Sequence, residues 1–354
     1  LGKKWKWLGV LFAIFGVFAV FGTGNATQVN TIVASIDTAL ISFGVMEAGS
    51  TSTLNLILGI VITILVGLIL LGGIKRIGHV AERLVPIMAL LYVVLGLGVI
   101  IVHIGNLPAA FSSIIKGAFN PTAVTGGVVG AMFTAVQKGV ARGIFSNEAG
   151  LGTASIAHAG AEVNDPVQQG LFGVFEVFVD TIIICTFTAL VILCSGVPIT
   201  FGAAAGAELT ISGFTSTYGN WITIFTAVAM CCFAFTTILG WDYYGERCLE
   251  YFSNGSMKAV KVYRWLYIAA VFIGPYMTVA AVWTIADIFN GLMALPNMVA
   301  LIALSGVVAK ETRDYFARLK AAGDDEEAME PHLPGDNWDI PPIDPLEDRL
   351  GAKS

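Results

Sequence analysis

Apolar residues run along this chain in blocks long enough to cross a bilayer. A spanning helix needs about 20 apolar residues at 1.5 Å each to cover roughly 30 Å of hydrocarbon. Uninterrupted blocks at 8–25, 54–73, 85–104, 170–195, 222–243 and 265–284 meet that length. A seventh, 288–308, contains Pro296, and an eighth, 127–160, is long but repeatedly broken by glycine and polar residues. The pattern predicts eight transmembrane helices, one of them broken, in an all-α integral membrane protein. Basic residues then orient the bundle, because basic loops stay cytoplasmic. Fourteen Lys and Arg fall before the first span and after the second, sixth and eighth, whereas the opposite loops hold Lys116 alone. Both termini of the chain are therefore expected in the cytoplasm.

Composition narrows the class further. Of 354 residues, 56% are apolar and only 12% charged, about half the charge of a soluble domain. No basic stripe exists and the net charge is -6, which disfavours a nucleic-acid partner. Five cysteines, of which only Cys231 and Cys232 are adjacent, form no disulfide framework or metal-ligand spacing. The acidity is local: residues 321–354 carry ten Asp and Glu against Arg349 and Lys353, with five of the twelve prolines. That composition predicts a solvated, disordered cytoplasmic tail. The chain opens on Leu1, a few residues before its first span, as if an amino-terminal portion were absent.

The broken block is the most informative. Its centre reads GIFSNEAGLGTA at 143–154, and each interior glycine costs a helix about 1 kcal/mol relative to alanine. Unwound backbone at membrane depth persists only where it is buried in protein or lines a watery cavity. There it can coordinate a cation and receive the amine and carboxylate of a zwitterion. Glu148 lies inside the break and needs a cavity, a cation or a partner, or acts as a capping acceptor. Ser146 and Asn147 divide between capping and ligand contact. Lys138 and Arg142 share a helix face and are expected to pair with Glu176 or Asp180, themselves four apart on one face of the next span. His158 reads as a packing residue.

Two other polar sets interrupt apolar spans. Thr236 and Thr237 are adjacent hydroxyls, and Thr237 shares a face with Trp241. Hydroxyl oxygens suit an alkali cation, although membrane threonines commonly bond their own helix. Phe21 and Asn25 share a face near the outer end of the first span, as a pocket lid and amide or as an interfacial anchor. Ser146 and His158 lie twelve apart with no third member, and no GxSxG elbow occurs, so the chain is not read as an enzyme.

Taken together, these motifs resemble the alanine/glycine:cation symporter family, the sodium:alanine symporters. The resemblance rests on LLGGIKRI at 70–77, GVARGIFSNEAGLGTASIAHA at 139–159, QGLFGVFEVFVDTIIICTFTALVIL at 169–193, FAFTTILGWDYYGE at 233–246 and NGLMALPNMVAL at 290–301, in that order. It runs from about residue 5 to 315. It implies a leucine-transporter-type inverted-repeat bundle lacking the first two core helices: residues 1–126 would hold core helices three to five, and 127–320 the second repeat, core helices six to ten. The acidic tail, 321–354, lies outside both.

Several roles follow from the resemblance alone. Thr236, Thr237 and the backbone carbonyl of Phe233 would bind Na+. Phe21, Asn25, Phe145, Ser146, Asn147, Gly150 and Trp241 would line the substrate pocket, and Glu148, Lys138, Arg142, Glu176 and Asp180 would pair structurally. The implied activity is Na+-coupled uptake of alanine or glycine by alternating access across the plasma (inner) membrane, with Na+ as coupling ion and no other cofactor. Two alternatives stand beside it. One is a proton-coupled permease using Glu148 or the Glu176/Asp180 pair; the other is a truncated, non-transporting membrane fragment.

Overall fold

A computed structural model describes residues 2–47, 49–119, 127–199 and 206–323. Among them every regular element is helical. In chain order these are α1 (Lys3–Ser42), α2 (Ser52–Leu70), α3 (Gly73–Val102), α4 (Leu107–Phe119), α5 (Gly127–Asn147) and α6 (Thr153–His158). There follow α7 (Pro166–Cys194), α8 (Ala207–Tyr218), α9 (Ile222–Phe252), α10 (Met257–Val271) and α11 (Val279–Ala321). Six of these, α1, α2, α3, α7, α9 and α11, are long and apolar enough to cross a membrane. The disordered tail expected beyond residue 323 lies outside the described residues.

Two span boundaries differ from the hydropathy reading. The first helix does not stop near residue 25 but runs on to Ser42 through a π-helical stretch, Val20–Ala26. A π turn widens the coil and frees carbonyls, and here side chains take them. Thr27 Oγ1 donates to the Gly22 carbonyl at 2.8 Å, and Gln28 Nε2 to that of Thr23 at 3.1 Å. Beyond the turn Thr31, Ser35 and Thr38 donate to carbonyls four residues back. These polar residues lower the hydropathy while hiding their own hydrogen-bonding groups, so the helix outlasts its apolar block.

The second difference is at the end of the chain. The apolar block 265–284 is not one helix, because α10 ends at Val271 and a tight turn, Gly274–Tyr276, carries Pro275. Gly274 abuts α1, where an added Cβ would lie 2.7 Å from Val29 Cβ. After the turn, Thr278 caps α11 by accepting from the Ala281 amide. Hydropathy is blind to this corner because glycine, proline and tyrosine cost little in an apolar window.

Helix α9 sits at the centre and packs against α1, α2, α3, α8 and α10. Its Ile238, Leu239 and Trp241 join Val29, Leu70 and Tyr267 in the main core. Large apolar side chains also cover the exterior, with Leu68, Leu90 and Ile302 58–70% exposed. An exterior that apolar matches lipid as its solvent and not water.

Close approach of α1 to α9 depends on Gly24, because a Cβ there would fall on the Trp241 Cβ. Gly24→Ala is expected to cost about 3 kcal/mol, the upper part of the usual overpacking range. A clear drop in melting temperature is the expected readout. Gly139→Ala, with open space around its Cβ position, should leave the melting temperature unchanged.

Candidate binding site at the broken helix

The break expected in the sequence is present. Helix α5 ends at Asn147, and α6 resumes only at Thr153. Between them Glu148, Gly150 and Gly152 have φ of 55°, 86° and 92°. Glycine takes that left-handed geometry freely, whereas Glu148 pays roughly 1–2 kcal/mol for it. Local bonds hold it there: Thr153 Oγ1 donates to Glu148 Oε2 at 2.5 Å, and the Leu151 amide to the Glu148 carbonyl at 3.0 Å.

Side chains then tie the unwound segment to its neighbours. Asn147 Oδ1 accepts from the Ala149 amide at 2.9 Å, while its Nδ2 donates to Thr181 of α7 at 2.8 Å. Asn297 of α11 donates to the Gly150 carbonyl at 2.9 Å. Fully buried Leu151 anchors the segment in the main core.

The break opens onto a cavity of about 1210 Å³ whose wall includes Ser146, Asn147, Glu148, Glu176, Asp180 and Tyr244. Ser146 Oγ donates to Asp180 Oδ2 at 2.8 Å. His158 lies 3.2 Å from Glu176 and is bonded to Gln169 at 2.6 Å, so it is a polar wall residue as well as a packed one. From α9, Thr237, Trp241 and Tyr244 share a face, and Trp241 reaches the Glu148 carboxylate. Thus Ser146, Asn147, Glu148, Glu176, Asp180 and Tyr244 converge around one space, whereas Trp241 is buried in the main core and does not line it.

The threonine pair lies farther along α9. Thr236 Oγ1 donates to the carbonyls of Cys232 at 3.1 Å and Phe233 at 3.0 Å, and Thr237 Oγ1 to that of Phe233 at 2.9 Å. Both protons point into their own helix, which leaves hydroxyl lone pairs as acceptors. The Phe233 carbonyl already receives both hydroxyls, so cation binding by it requires one of them to turn away.

Other residues sit elsewhere than expected. Arg142 pairs with Asp287 of α11, not with Glu176 or Asp180. Its guanidinium lies 4.1 Å from the Trp283 ring centroid and 5.5 Å from that of Phe145. Phe145 itself packs on Trp283, with centroids 4.6 Å apart, and faces α11 instead of the cavity. The long Arg142 side chain reaches past its own helix face to a charge no local spacing links to it. Lys138 is exposed.

Phe21 packs edge-on against Tyr263, and Asn25 Nδ2 donates to the Tyr267 carbonyl at 3.0 Å. The shared face predicted for these two is real, but it is turned toward α10, and neither lines the cavity. Thr153, Thr181, Asn297 and Tyr244 were missed. Asn297 alone left a trace, as an amide inside an apolar block.

A sequence profile of the sodium:alanine symporter family matches residues 1–330. An uncharacterized transporter of Haemophilus influenzae is 46% identical over 325 residues, covering 89% of this chain and 67% of its own length. A sodium/alanine symporter of Methanococcus maripaludis is 41% identical, over 88% of this chain and 65% of its own. A probable sodium/glutamine symporter of Bacillus subtilis is 39% identical, over 91% and 64%. The chain spans about two thirds of the length of these relatives. With several helices long and apolar enough to cross a membrane it is a multi-pass membrane protein, and the family it matches is one of transporters and not of enzymes. The chain belongs to the sodium:alanine symporter family.

Proposed function

We propose that this polypeptide is the substrate- and ion-binding body of a secondary transporter that imports a small neutral amino acid, alanine or glycine, together with Na+. One observation carries the reading: the unwound stretch between Asn147 and Thr153 opens onto a large cavity into whose mostly apolar wall Ser146, Asn147, Glu148, Glu176 and Asp180 are set. Peptide groups and the side chains of Ser146 and Asn147 would hold the zwitterion, with Tyr244 closing one side. Thr236 and Thr237 would offer hydroxyl oxygens to Na+. Relatives named for alanine and for glutamine share a neutral zwitterion and Na+.

On this reading the bundle is of the leucine-transporter type, with two inverted repeats and eight crossings in this chain. Helix α5, and the end of α10 together with the turn after it, would supply the two crossings beyond the six longer helices. Both ends of the chain would lie on the cytoplasmic side of a plasma (inner) membrane, a reading that fourteen basic residues on one side support. Coupling then requires Na+ to bind one conformation better than the other, since a ligand that binds both equally shifts nothing.

Alanine uptake into proteoliposomes of the full-length protein should fall at least about ten-fold when choline replaces Na+ at fixed pH, matching about 1.4 kcal/mol of lost coupling. Uptake that ignores the exchange refutes Na+ coupling. Uptake driven by a pH gradient without Na+ establishes the proton-coupled alternative instead.

A further inference from the structure

A second ionisable cluster lies away from the broken helix, at the α9–α10 contact. Asp242 and Glu246 are one turn apart on α9 and are 1% and 4% exposed. Arg264 of α10 grips Glu246 with both arms of its guanidinium: Nε donates to Oε1, and Nη2 to Oε2 at 2.8 Å. Asp242 has no such clamp, and its Oδ1 is buried without a hydrogen-bond partner. Yet the Asp242 and Glu246 carboxyl groups lie within hydrogen-bonding reach of each other.

Charge counting makes this arrangement untenable if both acids are ionised. Two carboxylates against one guanidinium leave a net negative charge inside the bundle, and an uncompensated buried charge is expensive. Two carboxyl groups can share a hydrogen bond only when one holds a proton.

Among the described residues the other groups at the pair add no free cation, since Arg247, next to Glu246 on α9, is paired with Glu250 at 2.6 Å. From α10 these are Arg264, Tyr263 and Tyr267, and the two tyrosine hydroxyls donate to the carbonyls of Val17 and Ile238. Cys248 lies farther along α9. On the α1 side, residues 7–36 carry no charge at all. A metal cation would need a shell of several oxygens and room to sit. Here the packing is tight, since a Cβ on Gly245 would collide with the Tyr263 hydroxyl, and Asp242 does not line the cavity at the break.

We propose that Asp242 and Glu246 form a buried proton-binding site, with Asp242 holding the proton while Arg264 neutralises Glu246. The site is separate from the cavity at the break and does not depend on the transport reading.

The test uses the purified chain in detergent without Na+ or alanine. With aspartate carboxyl groups isotopically labelled, infrared spectra at neutral pH should contain an isotope-shifted C=O stretch of a protonated carboxyl. Asp242→Asn should remove that band, and Asp242→Glu should return it without the isotope shift. A folded state that binds more protons than the unfolded one loses stability as pH rises. The wild-type melting temperature should therefore fall from mildly acidic to alkaline pH, and the Asp242→Asn profile should be flatter. Absence of the labelled band from the wild-type spectrum overturns the assignment, whether or not either variant folds. So does a pH slope that Asp242→Asn leaves intact, or a melting temperature that Na+ raises in the wild type but not in that variant.

Discussion

Replacing Thr236 and Thr237 together by valine is expected to remove Na+ dependence from alanine uptake while leaving the helix intact. Each hydroxyl donates only to its own helix, to Cys232 or Phe233, so no other element loses a partner. Valine keeps the branched shape and suits an apolar span. What disappears is two oxygens available to a cation, and a bond to a charged group is worth about 1.5–3 kcal/mol. Loss of either should raise the Na+ concentration for half-maximal uptake by about ten-fold or more. The measurement is uptake against Na+ concentration, alongside melting temperature without Na+. An unchanged half-saturation in the double variant removes both threonines from the ion site.

The second large effect is expected at Gly152. Its φ of 92° is one that alanine adopts only at a cost of roughly 1–2 kcal/mol. An alanine Cβ would also lie 2.6 Å from the Phe12 ring and 3.0 Å from Asn297 Cγ. Asn297 is the residue that holds the Gly150 carbonyl, so the clash passes directly into the unwound segment. Gly152→Ala should cost about 3 kcal/mol in all and abolish uptake. Gly160→Ala is the control at the other end of α6: its nearest Cβ neighbour is the Ala157 carbonyl, at an ordinary 3.6 Å. If both variants transport normally, the geometry of the break is not needed for transport.

Both predictions turn on residues whose importance was visible before any coordinates. The glycine density around Asn147 cannot sustain a helix, and peptide groups unwound in lipid need partners, so the break was legible as a local property. So was the helical class, because it follows from the length of the apolar blocks. Helix ends were less legible. At Thr27–Ser42 the side-chain hydroxyls turn back on their own backbone, and at Gly274–Pro275 a corner hides in an apolar window.

Partners across the fold were not legible at all. Arg142 and Glu176 looked suited to each other, yet Arg142 meets Asp287, 145 residues away, and Glu176 meets His158. Phe21 and Asn25 share a face as their spacing required, but nothing in that spacing told which neighbour the face would meet. It meets α10.

The sequence by itself therefore determined that the chain lies in a membrane, that it is built of apolar helices, and that one of them breaks in the run at 143–154. Those properties belong to single segments, through hydropathy and glycine's lack of a side chain. Only the tertiary structure decided which charges pair, which aromatic rings face the cavity, and that Asp242 sits unclamped beside Glu246 and Arg264. Such pairings depend on how distant helices are set against one another, and that is a property of packing which no local spacing encodes.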